Sequence, residues 1–281
     1  MPTVGAVVVA AVAVNRGFTA LVEVAGMPHK IAGHGWIPDL PDRRDHIFEA
    51  PAPVLAALPP SADLRAGCPP VYVQGVLGSC SAQAIAAAIS FDQKKENLPL
   101  QFEPSRLFIY YNQRVIANTV STDSGAQVRD GSKSVASIGY CPETPDWPYD
   151  QHVFDKEPSP EAYAHAAEHK IVSYRRLARD LDQMKGCLAD GYPFVFGFSV
   201  FDSFEGPALG RSGHVEMPAP SESIAGGHAA LAVGYDDAQS WFVVRNSWGP
   251  AWGIAGHFTL PYAYMMDPGL ATDFWTIRVA Q

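Results

Sequence analysis

The pattern of apolar and polar positions changes character twice along the chain. Residues 1–35 carry two β-branched apolar runs, Val4 to Val14 and Thr19 to Val24, followed by a Gly-rich stretch that ends at Gly35. Runs of this kind predict buried strands. The first is far shorter than the roughly 20 residues of a membrane-spanning helix. It has the apolarity of a signal-peptide core, but no Lys or Arg precedes it, Arg16 coming after, so a cytoplasmic location is favoured over export. Residues 36–60 then hold Pro38, Pro41, Pro51, Pro53, Pro59 and Pro60 around the charged cluster Asp42-Arg43-Arg44-Asp45. Proline fixes φ and removes a donor, so this stretch predicts an extended segment, docked on a surface or free as a linker.

Helical periodicity follows. Ser81 to Lys95 is Ala-rich, free of Gly and Pro, and places Ile85 and Ile89 one turn apart. Further helices are predicted over Ser105–Val115, Gly131–Gly139, Pro160–Lys170 and Leu177–Ala189. From Gly191 the texture turns to strands: Phe194–Phe201, His228–Tyr235, Trp241–Asn246 and Gly256–Pro261, with a Gly/Pro-rich loop over 202–227. A helical first half and a β-rich second half predict an α+β protein of two packed lobes, a helical one over about 61–190 and a β one over about 191–281. The first 60 residues form an N-terminal extension, too Pro-rich for a compact domain of its own.

Composition narrows the function classes. Of the 281 residues, 47% are hydrophobic, enough for a substantial core. Twenty basic residues against 29 acidic ones give a net charge of −9. That balance argues against a nucleic-acid footprint and against electrostatic docking on anionic lipid. Four cysteines exclude a disulfide-dense scaffold, and the absence of CxxC spacing argues against a structural zinc. Cys68, Cys141 and Cys187 read as free buried thiols. His165 and His169 stand one turn apart on a predicted helix, but without the HExxH pattern they read as a solvated face.

The strongest chemical signal is Gln74-Gly75-Val76-Leu77-Gly78-Ser79-Cys80-Ser81-Ala82. Cys80 lies where a Gly-containing loop enters a long helix. The unpaired N–H groups and dipole of a helix start favour thiolate, the nucleophilic form. Gln74, six residues earlier, can aim its amide at a carbonyl attacked by Cys80 and, with the Cys80 backbone N–H, form an oxyanion hole. Gly226-Gly227-His228 opens an apolar strand, and Arg245-Asn246-Ser247-Trp248-Gly249 ends the following one. Nucleophile, base and orienting amide form the general pattern of a thiol triad, with Trp248 placed to keep water from the His–Asn pair.

Taken together, these motifs resemble the papain-like cysteine peptidases: Gln74-x5-Cys80, Gly-Gly-His228-Ala before Ala-Val-Gly-Tyr, and Asn246-Ser-Trp-Gly-x-x-Trp-Gly. His228 follows Cys80 by about 148 residues, within the roughly 130–150 of that family, and Asn246 by about 166, somewhat beyond it. The resemblance, over roughly residues 62–281, implies a two-lobed fold with Cys80 facing His228 across a cleft. It implies Cys80 as nucleophile, His228 as base and later acid, Asn246 as orienting residue, Gln74 in the oxyanion hole and Trp248 as shield. Gly125, in Asp-Ser-Gly-Ala, aligns with the glycine stretch that pairs with substrate backbone, and Gly227 borders the same site. No metal or organic cofactor is implied, and the partner is a peptide or protein substrate. Three departures stand out. Leu77 replaces a disulfide cysteine, Ser81 replaces an aromatic and is expected to open the leaving-group side, and Gly227 stands where many members carry Asp or Asn. Residues 1–60 lack the long helices of a papain-type proregion. They are expected to form a short, atypical one that lies in or beside the cleft, which would make the chain a zymogen. A papain-fold acyl transferase or amidase, and a non-catalytic peptide-binding protein, are the alternative readings.

Overall fold

Along Phe194–Phe201 alternate side chains bury on opposite faces, so a run with almost no polar residue needs apolar material above and below it. The computed structural model, which describes residues 34–279, supplies both layers. The runs Val4–Val14 and Thr19–Val24 lie outside the described residues. In chain order the elements are β1 (Ile47–Phe48), α1 (Ala52–Leu55), β2 (Ser61–Asp63), α2 (Cys80–Lys95), α3 (Arg106–Ala117), α4 (Val128–Ser137), α5 (Pro160–Glu168) and β3 (Ser173–Leu177). There follow α6 (Leu181–Ala189), β4 (Phe194–Phe201), α7 (Pro207–Ser212), β5 (Ile224–Asp236), β6 (Trp241–Arg245), β7 (His257–Pro261), α8 (Tyr262–Met266) and β8 (Ala271–Arg278).

The strands form one mostly antiparallel sheet in the order β1-β3-β8-β4-β5-β6-β7, with β2 also pairing β5. One face carries Val195, Leu231, Val233, Trp275 and Ile277 against α2, α3 and α4. The other carries Phe194, Phe196, Phe198, Phe242, Val244 and Phe258, with Met184 and Leu188 of α6 packed at its edge. This is the expected α+β architecture. Helix α2 is the central element of the helical layer: from Cys80 to Gln93 every residue is buried, so its alanines are needed for close approach rather than for helicity alone.

The sheet departs from the expected plan in three places. Leu177 ends a strand rather than starting a helix; α6 begins at Leu181, where the Asp180 side chain accepts from the Gln183 N–H and supplies the cap. Strands β3 and β8 interrupt their apolar pattern with Arg175, Arg176, Thr272 and Asp273, so no clean alternation marks them. The Pro-rich stretch joins the sheet at Ile47, which pairs in parallel with Arg176, and the residues just after it join at Ala62, antiparallel to Tyr235. The 202–227 loop contains α7 and the first residues of β5.

The Phe196 side chain is fully buried, 5.5 Å from the ring of Phe198 and stacked on Phe274 at 6.2 Å. Phe196→Ala should cost about 3–5 kcal/mol, read as a lower denaturant midpoint at unchanged slope.

Candidate active site

The loop before α2 is fixed from both sides. Gln74 N–H donates to the Ser247 carbonyl at 2.9 Å, and Gly249 N–H to the Tyr72 carbonyl at 2.8 Å, which ties the loop to the chain beyond β6. Both Asp123 carboxylate oxygens accept the Gly78 N–H at 3.0 Å. Cys80 is then the first residue of α2, wholly buried. Its sulfur receives the Ala229 N–H of β5 at 3.3 Å and also the Gly35 N–H.

His228 precedes Ala229 on β5, so the strand that touches the sulfur also brings in the imidazole. His228 Nε2 lies 2.9 Å from Asn246 Oδ1, which also accepts the Ser247 N–H at 2.8 Å. An amide oxygen only accepts, so the ring proton resides on Nε2 and Nδ1 is bare. Nδ1 is buried without a hydrogen-bond partner among the described residues. Trp248 lies 5.1 Å from the ring, centroid to centroid, and Phe198 meets it edge-on at 5.6 Å. Gln74, also buried, donates from Nε2 to the Leu77 carbonyl at 2.7 Å, while Ser247 Oγ donates to its Oε1 at 2.7 Å. The residue between Asn246 and Trp248 thus fixes the Gln74 carboxamide in the loop before Cys80.

The described chain begins inside this site. His34 to Ile37 runs extended between the two layers. Gly35 carbonyl accepts the Ala126 N–H at 2.7 Å and Ile37 N–H donates to the Ala126 carbonyl at 3.2 Å, a parallel bridge. On the other side Trp36 N–H donates to the Gly227 carbonyl at 3.1 Å. Gly35 is obligatory, because a Cβ there would overlap the Gly78 backbone. The Trp36 indole covers Gly227 and Gly197, where a Cβ would collide with it, and donates from Nε1 to Asp273 at 3.1 Å. Gly125 (φ 74°) abuts Gly35, and the backbone pairing falls one residue later, on Ala126.

Burial decides the charge state. Desolvation pushes the Cys80 thiol up to about 11, against the lowering effect of the N–H groups of Ala229, Gly35 and Ser81. Desolvation also pulls His228 down to about 3, with the Asn246 hydrogen bond opposing. With the cleft filled the pair is therefore a neutral thiol and a neutral imidazole, although a helix start alone favours the thiolate.

A sequence model described as papain family cysteine protease matches residues 58–274. The chain belongs to the papain family of cysteine proteases. Over 213 residues it is 44% identical to an uncharacterised peptidase C1-like protein of Acanthamoeba polyphaga mimivirus, covering 73% of this chain and 68% of that one. Its fold matches the crystal structure of xylellain, a cysteine protease from Xylella fastidiosa, with a TM-score of 0.83 and 43% identity, over 92% of this chain and 100% of that one. Procathepsin L 3 of the Tenebrio molitor larval midgut shares the fold at 18% identity, with a TM-score of 0.66 over 84% of this chain and 74% of the other.

For a papain-family peptidase, the departures at this cleft have local causes. Leu77 is buried where a disulfide is usual, and all four cysteines are free. Ser81 does not open the leaving-group side: it is fully buried and pairs with Gln113 of α3 through the Gln113 Nε2 donor at 2.9 Å. Gly227 leaves the room that Trp36 fills. Away from the cleft, His165 is exposed and contacts Asp146 at 2.7 Å, while His169 packs edge-on to Phe102. Among the described residues no helix is long and apolar enough to cross a membrane. Sequence reasoning missed Trp36, Asp273 and Ser247. The signal for Trp36 was a lone large aromatic after Gly33-His34-Gly35; Asp273 had none, since only the fold brings β8 to the cleft.

Ser247→Ala removes the donor to a buried carboxamide oxygen. It should lower stability by about 1–3 kcal/mol, visible in chemical denaturation; an unchanged midpoint would mean that the oxygen finds another donor.

Proposed function

We propose that this cysteine peptidase works through Cys80, His228 and Asn246, with Gln74 as the oxyanion donor, and that residues 34–37 hold the full chain latent. The observation that carries the reading is the extended stretch over the Cys80 sulfur, bonded through its backbone to Ala126 on one side and Gly227 on the other. That stretch brings the Gly35 N–H to the sulfur, so it fills the site a substrate would need.

Once the stretch leaves, water and substrate reach the pair, and the thiol proton passes to the bare His228 Nδ1. The thiolate attacks the peptide carbonyl carbon, and the oxyanion takes donors from Gln74 Nε2 and the Cys80 N–H. His228 gives its proton to the leaving amine as the C–N bond breaks. It then takes a proton from water, which attacks the thioester and releases the acid and the thiolate. Asn246 keeps Nε2 occupied so that Nδ1 faces the reaction, and Trp248 keeps water from that bond. Ala126 and Gly227, now paired with the stretch, offer the same backbone groups to a peptide substrate beside Gly125.

Cys80→Ala should abolish hydrolysis with the fold intact, and Gln74→Ala should lower kcat about 10²–10³-fold. Trp36→Ala should raise peptide hydrolysis by the full chain at least about tenfold, because losing the half-buried indole and its hydrogen bond to Asp273 costs more than the 1.4 kcal/mol of a tenfold shift. Unchanged activity in that variant would remove the latency reading.

A further inference from the structure

The blocking stretch is held outside the cleft by a cluster that joins it to both layers. Asp39 and Asp45 come from the N-terminal segment, Arg129 from α4, Arg176 from β3 and Asp273 from β8. Arg129 grips Asp45 with two hydrogen bonds, at 2.9 and 2.6 Å. Arg176 bonds Asp273 at 2.9 Å and reaches Asp45 at 3.3 Å. Asp39 is left over. Its side chain has no exposed surface, yet among the described residues its sole guanidinium neighbour within 4 Å is Arg176 Nη1, at 3.8 Å. Its oxygens accept instead from Trp275 Nε1 at 2.8 Å and the Arg129 backbone N–H at 3.1 Å. Its own N–H donates to Asp273 at 2.8 Å, beside the Trp36 indole on the same carboxylate oxygen.

The cluster thus buries three carboxyls against two guanidinium groups, and the surplus one belongs to the segment. Building on the latency reading, we propose that Asp39 is a proton-operated latch: the segment holds the cleft tightly when this carboxyl is protonated and lets go as the pH rises.

The surroundings do not cancel the effect. Asp42 and Arg44 pair with each other in the turn. Asp130 and Lys133 of α4 offset one another. Arg179 is taken up by the carbonyls of Met265, Asp267 and Ala271, and Tyr174 faces Asp45 as a neutral phenol. His34 meets Glu205 at 2.7 Å. Cys80 and His228 can pass a proton between themselves on opening, so over the neutral range they exchange none with solvent. Burial, then the Asp273 charge, pushes Asp39 up to about 7 from an ordinary 3.8, and burial raises its neighbour Asp273 as well, in the same direction. A carboxyl raised in the docked state favours docking fully below its free value and loses that contribution as the pH climbs through the docked one. Docking should weaken up to about tenfold per pH unit between about pH 4 and 7, then level off.

The test is the rate at which iodoacetamide alkylates Cys80 in the full chain from pH 5 to 8.5, read on the Cys80 peptide by mass spectrometry. Dividing by the rate in Trp36→Ala removes the intrinsic pH dependence of the thiol. The wild-type ratio should rise several-fold from pH 5 to about 7 and then flatten. In Asp39→Asn, which keeps an acceptor for Trp275, the rise should be much smaller. In Asp45→Asn, which removes a different carboxylate from the cluster, the rise should move to lower pH. A wild-type ratio that is flat or falls with pH, or an Asp39→Asn profile that climbs like wild type, overturns the latch. Labelling of Trp36→Ala no faster than wild type at every pH would instead overturn the latency reading beneath it.

Discussion

Helix α2 packs against β5 so closely that the sulfur of its first residue accepts an amide hydrogen from the strand, at 3.3 Å from Ala229. The rest of the site follows from that contact. The helix can come so near because alanine lines it and Ala229 meets it on the strand side. Antiparallel pairing then sets the neighbours: β6 lies beside β5, so Asn246, just past its end, reaches back to His228. Ser247 bonds Gln74 and Trp248 covers the imidazole because the chain beyond β6 folds onto the loop before α2. One helix–strand contact therefore registers sulfur, imidazole, carboxamides and indole together.

The chemistry of that constellation depends on water. Filled by residues 34–37, the cleft is dry, and dryness penalises each charged form more than the surrounding dipoles favour it. Burial therefore holds the Cys80 and His228 pair uncharged. On the latency reading proposed above, occlusion acts twice, by steric exclusion of a substrate and by removing the charge separation on which reactivity depends.

The site was legible in the sequence to the extent that its residues are local. Gly-Ser-Cys before an Ala-rich helix, Gly-Gly-His at a strand start and Asn-Ser-Trp-Gly at a strand end each combine an unusual residue with an element boundary, and the structure places them together. The strand Phe194–Phe201 was equally plain, because a strand buried on both faces has no polar residue to confuse it. Strands β3 and β8 were hidden for the opposite reason. Arg176 and Asp273 face the N-terminal segment, a partner far away in the chain, so local periodicity carries no trace of it. Leu77 and Ser81 show a related limit. Both were readable as departures, but only the packing reveals that Ser81 turns inward to Gln113.

The division of labour between the stretch in the cleft and its anchor outside has an energetic basis. Three backbone hydrogen bonds contribute about 1 kcal/mol each. An indole burying about 150–250 Å² adds a few more at about 25 cal/mol per Å². Ordering four residues costs about 1–2 kcal/mol apiece in backbone entropy alone. These contributions nearly cancel, and they must, since Gly35 has no side chain to add and the Gly78 backbone leaves no room for one. A plug built around glycine at its closest approach fits the sulfur without holding itself there. Its retention falls to side chains that fit outside the narrowest point, and Asp39 is the first charged group the chain supplies after leaving it, with Asp45 six residues on. Those two carboxylates meet one arginine from the helical layer and one from the sheet, so the same anchor that retains the plug also ties the two walls of the cleft together.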